Sequence, residues 1–271
     1  KIEKNLNLIN LNYSSENEPN IINKVNFSKY ENILIKKFSH LTNFNQKVYL
    51  DCANGSLSNI APKVFERLNL SFLCSGVQPN GININKNCGA TYPLELSKNT
   101  KASKSSLGIS FDGDADRVIF CDEFGRIIDG DYILAILALF LKDKNQLKNN
   151  LVVSTKMSNL GFRKFLHKNN INFLLSNVGD RYVVELMKKS NCVLGGEQSG
   201  HIIFSGNSFC GDGIYTALMI IQILEENNCS LSSLCSELFE RSPQKLVNFK
   251  LKNNPHKIIN NSKIQKILDN I

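Results

Sequence analysis

From Lys47 onward, short apolar runs that end in glycine-bearing turns alternate with helically spaced stretches of roughly 10 to 15 residues, and this alternation restricts the fold more than any other feature. "KVYLDCANG" reads as a strand entering a turn, and "IAPKVFERLNL" as the helix behind it. "SLGISF" and "RVIFCDEFGRII" read as further strands, and "YILAILALFLK" as a buried helix. After the polar break "DKNQLKNN" the pattern resumes with "LVVSTKMSNLGFRKFLHKNN", "INFLLSNVGDRYVVELMKKS", "CVLGGEQSGHIIF" and the helix "DGIYTALMIIQILEEN". Strands alternating with helices imply βαβ units, so the expected class is α/β: two consecutive α/β units with mixed, largely parallel sheets and a seam near Arg126–Gly130. No internal repeat is evident in the sequence, although the two units are expected to have similar architecture. Upstream, "KVNFSKYENILIKKFSHL" spaces Val25, Tyr30, Ile33, Leu34 and Phe38 for a helix.

With 42% hydrophobic residues among 271, the chain can fill the cores of one large or two ordinary domains. No apolar run approaches the roughly 20 residues of a membrane span. The opening "KIEKNLNLIN" lacks the apolar region and cleavage site of a secretory signal, so a cytoplasmic protein with no membrane partner is expected. Eight cysteines form no CxxC pair and fall mostly in apolar stretches, which fits reduced, packed thiols. The net charge of +8 is scattered among asparagines and isoleucines, so a solvated surface is expected and a nucleic-acid partner is not. An anionic small substrate would suit that surface.

In open α/β sheets, ligands bind beyond the carboxyl ends of the strands. Four glycine-rich loops follow strands here: "DCANG", "FDGDADR", "NVGDR" and "GGEQSGH". The second places Asp112, Asp114 and Asp116 at alternate positions with Arg117 directly behind. Three like charges so close need a proton or a cation between them. An Asx-type turn accounts for a bare DGD but poorly for three carboxylates and an arginine. An EF-hand loop matches the spacing, with Glu123 at its twelfth position, but puts Arg117 where that loop needs glycine and strands where it needs helices. "GISFDGDADRV" also resembles the nucleophile motif of haloacid-dehalogenase-like phosphatases. There, however, Thr or Val usually stands where this chain has a third aspartate, and "GDGIYT" lacks the second acidic residue of the later motif. The remaining reading is Mg²⁺-assisted phosphoryl transfer, in which a hard cation takes a few carboxylates and leaves positions open for phosphate oxygens.

"FDGDADRV" resembles the metal loop of the α-D-phosphohexomutase superfamily. "DCANGSLSNIAPKVFERL", "NINKNCGATYPLEL", "STKMSNLGF", "VGDRYVVELM", "GGEQSGHIIF" and "CGDGIYTALMIIQ" are similar to its other blocks, in its order and at its spacing, over about Lys24–Val247. The match is greatest to the glucosamine-type branch. The resemblance implies an isomerase that interconverts glucosamine 6-phosphate and glucosamine 1-phosphate through a phosphoserine and a bisphosphorylated sugar, feeding amino-sugar nucleotide and cell-wall precursor synthesis. It implies Mg²⁺ on Asp112, Asp114 and Asp116, Arg117 beside the transferring phosphoryl group, and Glu197 and Ser199 on ring hydroxyls. Asp180 and Arg181 would border the substrate. Lys156 is either a further substrate contact or a solvated lysine, and His201 either a proton-transfer group or a packed side chain.

The superfamily has four domains, and two of its motifs are missing from this sequence: the TASHNP-like phosphoserine stretch of the first domain and the RPSGTEP-like phosphate loop of the fourth. Ser39 in "KKFSHLTNF" lacks the flanking residues and is not assigned as the nucleophile. The expected division is a tail of the first domain with a linker helix at 1–44, the second domain with the metal loop at 45–127, the third with the sugar loop at 128–242, and the start of the fourth at 243–271. A piece of that kind would be inactive alone and would need the first and fourth domains to complete its site for a phosphorylated amino sugar. The alternatives are a phosphomannomutase or phosphoglucomutase of the same superfamily, or a non-catalytic sugar-phosphate-binding module.

Overall fold

The structure is a computed structural model and describes residues 28–245 together with 261, 262 and 264. Val25, the expected first-domain tail before residue 28 and most of the expected fourth-domain start lie outside the described residues. The first helix, α1 (Ser28–Phe38), buries Leu34 and Phe38 and half-buries Tyr30. Those three stand four residues apart and form its inward stripe, whereas Ile33 falls off that stripe and is 55% exposed.

The first unit contains β1 (Val48–Asp51), α2 (Ile60–Arg67), β2 (Phe72–Ser75), α3 (Pro93–Ala102), β3 (Leu107–Phe111), β4 (Val118–Asp122) and β5 (Ile127–Ile128). Its strands lie in the order β2-β1-β3-β4-β5, with β1 parallel to β2 and β3, and with β4 antiparallel to β3 and β5. "RVIFCDEFGRII" therefore folds back on itself between β4 and β5. Buried Asp122 makes that turn: Oδ1 accepts the Phe124 and Arg126 amides at 2.9 Å, and Oδ2 accepts Arg126 Nε at 2.6 Å.

The second unit contains α4 (Gly130–Asp143), β6 (Leu151–Thr155), α5 (Leu160–Lys168), β7 (Asn172–Ser176), α6 (Asp180–Ser190), β8 (Leu194–Gly196), β9 (Ile202–Phe204), α7 (Gly213–Glu226) and α8 (Leu231–Ser236). Its strand order is β7-β6-β8-β9, again with two parallel pairings followed by an antiparallel hairpin. The sheets are mixed, as expected, and four of the seven strand pairings among the described residues are parallel. The repeat absent from the sequence is present in the topology. It makes the aspartate loop (β3 to β4) and the GEQSGH loop (β8 to β9) equivalent connections in the two units.

The two long apolar helices join the units. α4 packs on β8, α5 and α7, while α7 packs on β3, β4 and α1. Each is apolar nearly all round and so is covered on more than one side. One buried cluster consequently runs from Phe38 through Ile109 and Phe120 to Leu134, Val152, Leu194 and Ile220. A smaller cluster of Val153, Val183, Met187 and Ile203 lies between the second sheet and α6. Val152 and Val153 enter different clusters because successive strand side chains point to opposite faces. Among the described residues no helix is long and apolar enough to cross a membrane.

Candidate active site

Phe111 pairs with Val118, so β3 and β4 close a six-residue loop containing the three aspartates. Asp112 is buried and held by Arg117, whose amide donates to Oδ1 at 3.0 Å and whose Nε donates to Oδ2 at 2.6 Å. Asp116 has Arg117 Nε at 3.5 Å from Oδ1 and His201 Nδ1 at 3.3 Å from Oδ2. Asp116 Oδ1 is buried and has no hydrogen-bond partner. Asp114 is exposed. Burial first, and then the charges of Asp112 and Asp114, push the Asp116 carboxyl above the usual carboxylate range, against the opposing pull of His201.

This donor set fits a hard divalent cation. One oxygen from each aspartate can be chosen so that all three lie within 4.8 Å of one another, close to the roughly 3 to 4 Å between neighbouring oxygens around Mg²⁺. Asp114 is open to solvent, and buried Asp116 Oδ1 has the Arg117 charge 3.5 Å away but no hydrogen bond. Asp112 keeps lone pairs beyond those that Arg117 uses. The Arg117 Nη atoms make no hydrogen bond among the described residues, and the side chain is 37% exposed, so one edge of the guanidinium is free for an anion.

The two hairpin loops meet edge to edge. Arg117 and His201 form an antiparallel bridge, and the Val118 amide donates to the Gly200 carbonyl at 3.1 Å. Gly200 has φ +92°, and a Cβ there would come within 2.2 Å of the Val118 carbonyl oxygen, so both the conformation and the contact require glycine. The β1 side braces the aspartate loop as well: the Ser56 amide donates to the Gly113 carbonyl at 2.8 Å, and Ile84 of "NINKNCG" lies over Gly113.

Lys156 follows β6, Asp180 follows β7, and Glu197 and Ser199 follow β8, all at carboxyl ends of parallel strands. Glu197 Oε1 accepts the Gly179 amide at 2.9 Å, which ties the VGDR loop to the GEQSGH loop. Ser199 is exposed and its hydroxyl makes no hydrogen bond among the described residues. Asp180 and Lys156 are also exposed. Arg181 is directed along its own helix to Glu185, Nε to Oε1 at 3.0 Å. His201 is only 5% exposed, with its Nδ1 towards Asp116. The structure thus brings Asp112, Asp114, Asp116, Arg117 and His201 into one cluster, with Glu197 and Ser199 on the adjoining loop. Sequence reasoning gave no role to Tyr30 and Asp212, whose hydrogen bond at 2.7 Å joins residues 182 positions apart behind this cluster. No local pattern signals such a pair; the only trace was the block "CGDGIYT".

A family model for phosphoglucomutase/phosphomannomutase α/β/α domain II matches residues 27–125, and the domain III model of the same family matches residues 129–242. The phosphoglucosamine mutase of Bacillus pumilus is 45% identical over 224 residues, which is 83% of this chain and 50% of that protein. That of Fusobacterium nucleatum is 46% identical over 207 residues, 76% of this chain and 46% of that protein. Among solved structures, a putative phosphomannomutase from Thermus thermophilus superposes with a TM-score of 0.69 at 17% identity, covering 79% of this chain and 50% of that one. The N-acetylphosphoglucosamine mutase of Aspergillus fumigatus, in complex with GlcNAc-6P and magnesium, gives 0.63 at 19%, covering 78% and 49%. At these identities the structures testify to the fold alone.

Two mixed-sheet units, one carrying an acidic loop and the other a glycine-rich loop that adjoins it, define a phosphohexomutase module, and the chain belongs to the phosphoglucomutase/phosphomannomutase family as its domains II and III. Within that family its curated relatives are phosphoglucosamine mutases, and the chain spans about half the length of those it matches.

Proposed function

We propose that the chain supplies the metal-binding and sugar-binding loops of a phosphoglucosamine mutase, a cytoplasmic isomerase acting on glucosamine 6-phosphate and glucosamine 1-phosphate. The observation that supports this reading is the junction of the two hairpin loops through Arg117 and His201, which sets the three aspartates and Arg117 beside the loop that carries Glu197 and Ser199. Asp112, Asp114 and Asp116 would hold Mg²⁺, which when bound neutralises the phosphoryl oxygens in transfer. The free edge of Arg117 grips the phosphoryl group. Glu197 uses the oxygen that is not holding Gly179 to accept a ring hydroxyl, and Ser199 donates to or accepts from another. His201 holds Asp116 in place from its buried position. Asp180 borders the bound sugar, with Lys156 and Arg181 at the outer rim. The phosphoserine and the grip on the distal phosphate come from segments outside these two units.

The test is a chimera in which residues 28–245 replace the matching region of the Bacillus pumilus phosphoglucosamine mutase. It is expected to turn over glucosamine 6-phosphate in preference to glucose or mannose 6-phosphate. Preference for mannose 6-phosphate would favour the phosphomannomutase alternative, and a folded chimera that turns over none of the three would sink the reading.

A further inference from the structure

The turn Cys210–Gly213 lies behind both hairpin loops and belongs to neither. Gly211 bridges to Ile203 of β9, and the Gly213 amide donates to the carbonyl of Ala115 in the aspartate loop at 2.9 Å. Gly211 lies so close that a Cβ on it would come 2.3 Å from the Asp116 carbonyl and 2.7 Å from His201 Cε1. The turn is thus in contact with the backbone of one metal-loop aspartate and with the imidazole that faces its carboxylate.

Asp212 secures this turn. Its Oδ1 accepts the Tyr215 amide at 3.0 Å and the Tyr30 hydroxyl at 2.7 Å, and its carbonyl accepts the Thr216 amide and hydroxyl at 3.0 and 2.8 Å. Ala115 needs such support. It stands between Asp114 and Asp116 at φ +68°, a left-handed conformation that is unfavourable for any residue with a Cβ and persists only where its surroundings impose it. The Gly213 amide reaches the carbonyl of that same residue.

We propose that Asp212, held by Tyr30, is a positioning residue for the aspartate loop: it fixes the first turn of α7 so that the Gly213 amide keeps Ala115 left-handed and Asp114 and Asp116 converge. The proposal rests on the reading of that loop as a divalent-cation site.

The test measures Mn²⁺ binding to the 271-residue chain from the loss of the free-ion paramagnetic resonance signal, with thermal unfolding recorded on the same samples. Asp212→Ala is expected to weaken binding about tenfold, the scale of an outer-shell partner. Asp212→Asn keeps the accepting oxygen and is expected to restore wild-type affinity, and Tyr30→Phe to lower it by less than Asp212→Ala does. In an Ala115→Gly background, where glycine takes the left-handed conformation unaided, the effect of Asp212→Ala is expected to vanish. Wild-type affinity in Asp212→Ala overturns the proposal, as does a tenfold loss that persists in the Ala115→Gly background, since Asp212 would then be an ordinary helix cap. Should Asp212→Ala not fold, unchanged affinity in Tyr30→Phe overturns the proposal. Absence of Mn²⁺ binding by the wild type at millimolar ion overturns the cation-site reading and this proposal together, whereas binding that is insensitive to Asp212 overturns this one alone.

Discussion

Asp131 is a buried carboxylate outside the site with a partner for only one of its oxygens. Oδ2 accepts the Asn159 amide at 2.7 Å, while Oδ1 is buried without a hydrogen bond. Burial, and after it the charge of Asp129, raise its pKa to about 6, with the Asn159 and Ser158 hydrogen bonds and Arg241 pulling the other way. A carboxyl that binds its proton more tightly when folded favours the folded state below the unfolded pKa and loses that contribution as pH rises through the folded one. The relevant window runs from about pH 4 to about pH 6. Asp131→Asn keeps the oxygen that accepts the Asn159 amide and removes the titration. The stability gap between variant and wild type, from urea unfolding, should therefore widen by about 2 kcal/mol in favour of the variant between pH 4 and pH 7. A gap that does not change with pH would show that Asp131 does not titrate in this window. The two DGD stretches, Asp112–Asp114 and Asp129–Asp131, show what single residues disclose in the sequence. The first stood out because a third aspartate and an arginine follow it, whereas the second carries no such signal, and only the fold buries one of its carboxylates.

At the scale of elements, the many asparagines have a structural use. Among the described residues, ten of the thirteen non-glycine residues with positive φ are asparagine, and Asn170, Asn191 and Asn228 each follow a helix. There the chain must turn left-handed to release the last carbonyls, and asparagine takes the place that glycine usually fills. Asn191 closes α6 with φ +53°, and the Cys192 amide then reaches the Met187 carbonyl at 2.9 Å. Asn191→Gly should stabilise the chain by about 0.5 kcal/mol and Asn191→Ala should destabilise it by about 1 kcal/mol, measured by urea unfolding. The reverse order would mean that the exposed side chain, rather than the dihedral angle, decides. Most strands and helices were legible in the sequence because their apolar periods are local, although β2 (Phe72–Ser75) and α3 (Pro93–Ala102) went unread, and the aspartate loop was legible because its charges are adjacent. The turn on Asp122, the shared strand order and the Tyr30–Asp212 bond were not legible. Each depends on which segments the folded chain brings together, and such partners leave no mark on local spacing.

At the scale of the whole molecule, the seam near Arg126–Gly130 separates two sheets in sequence but not two cores in space. α7, from the end of the second unit, covers β3 and β4 of the first, and α4, which directly follows the seam, covers β8 of the second and packs on α7. Cutting the chain at the seam would strip α7 from the first sheet and expose Ile109, Phe111 and Phe120, all fully buried in the intact chain. Each fully buried side chain contributes about 1.5–3 kcal/mol, so three of them outweigh much of the 5–15 kcal/mol net stability of an ordinary domain. The first unit is therefore expected not to fold alone, and the intact chain to melt in one transition whose calorimetric and van't Hoff enthalpies agree. Two separated heat-capacity peaks, or a folded 28–127 piece with dispersed amide resonances, would show that the shared helices add contact without coupling the two units. A single transition would also imply that the aspartate and GEQSGH loops keep their relative placement for as long as the chain is folded, because the helices that join the two units hold the strands from which both loops spring.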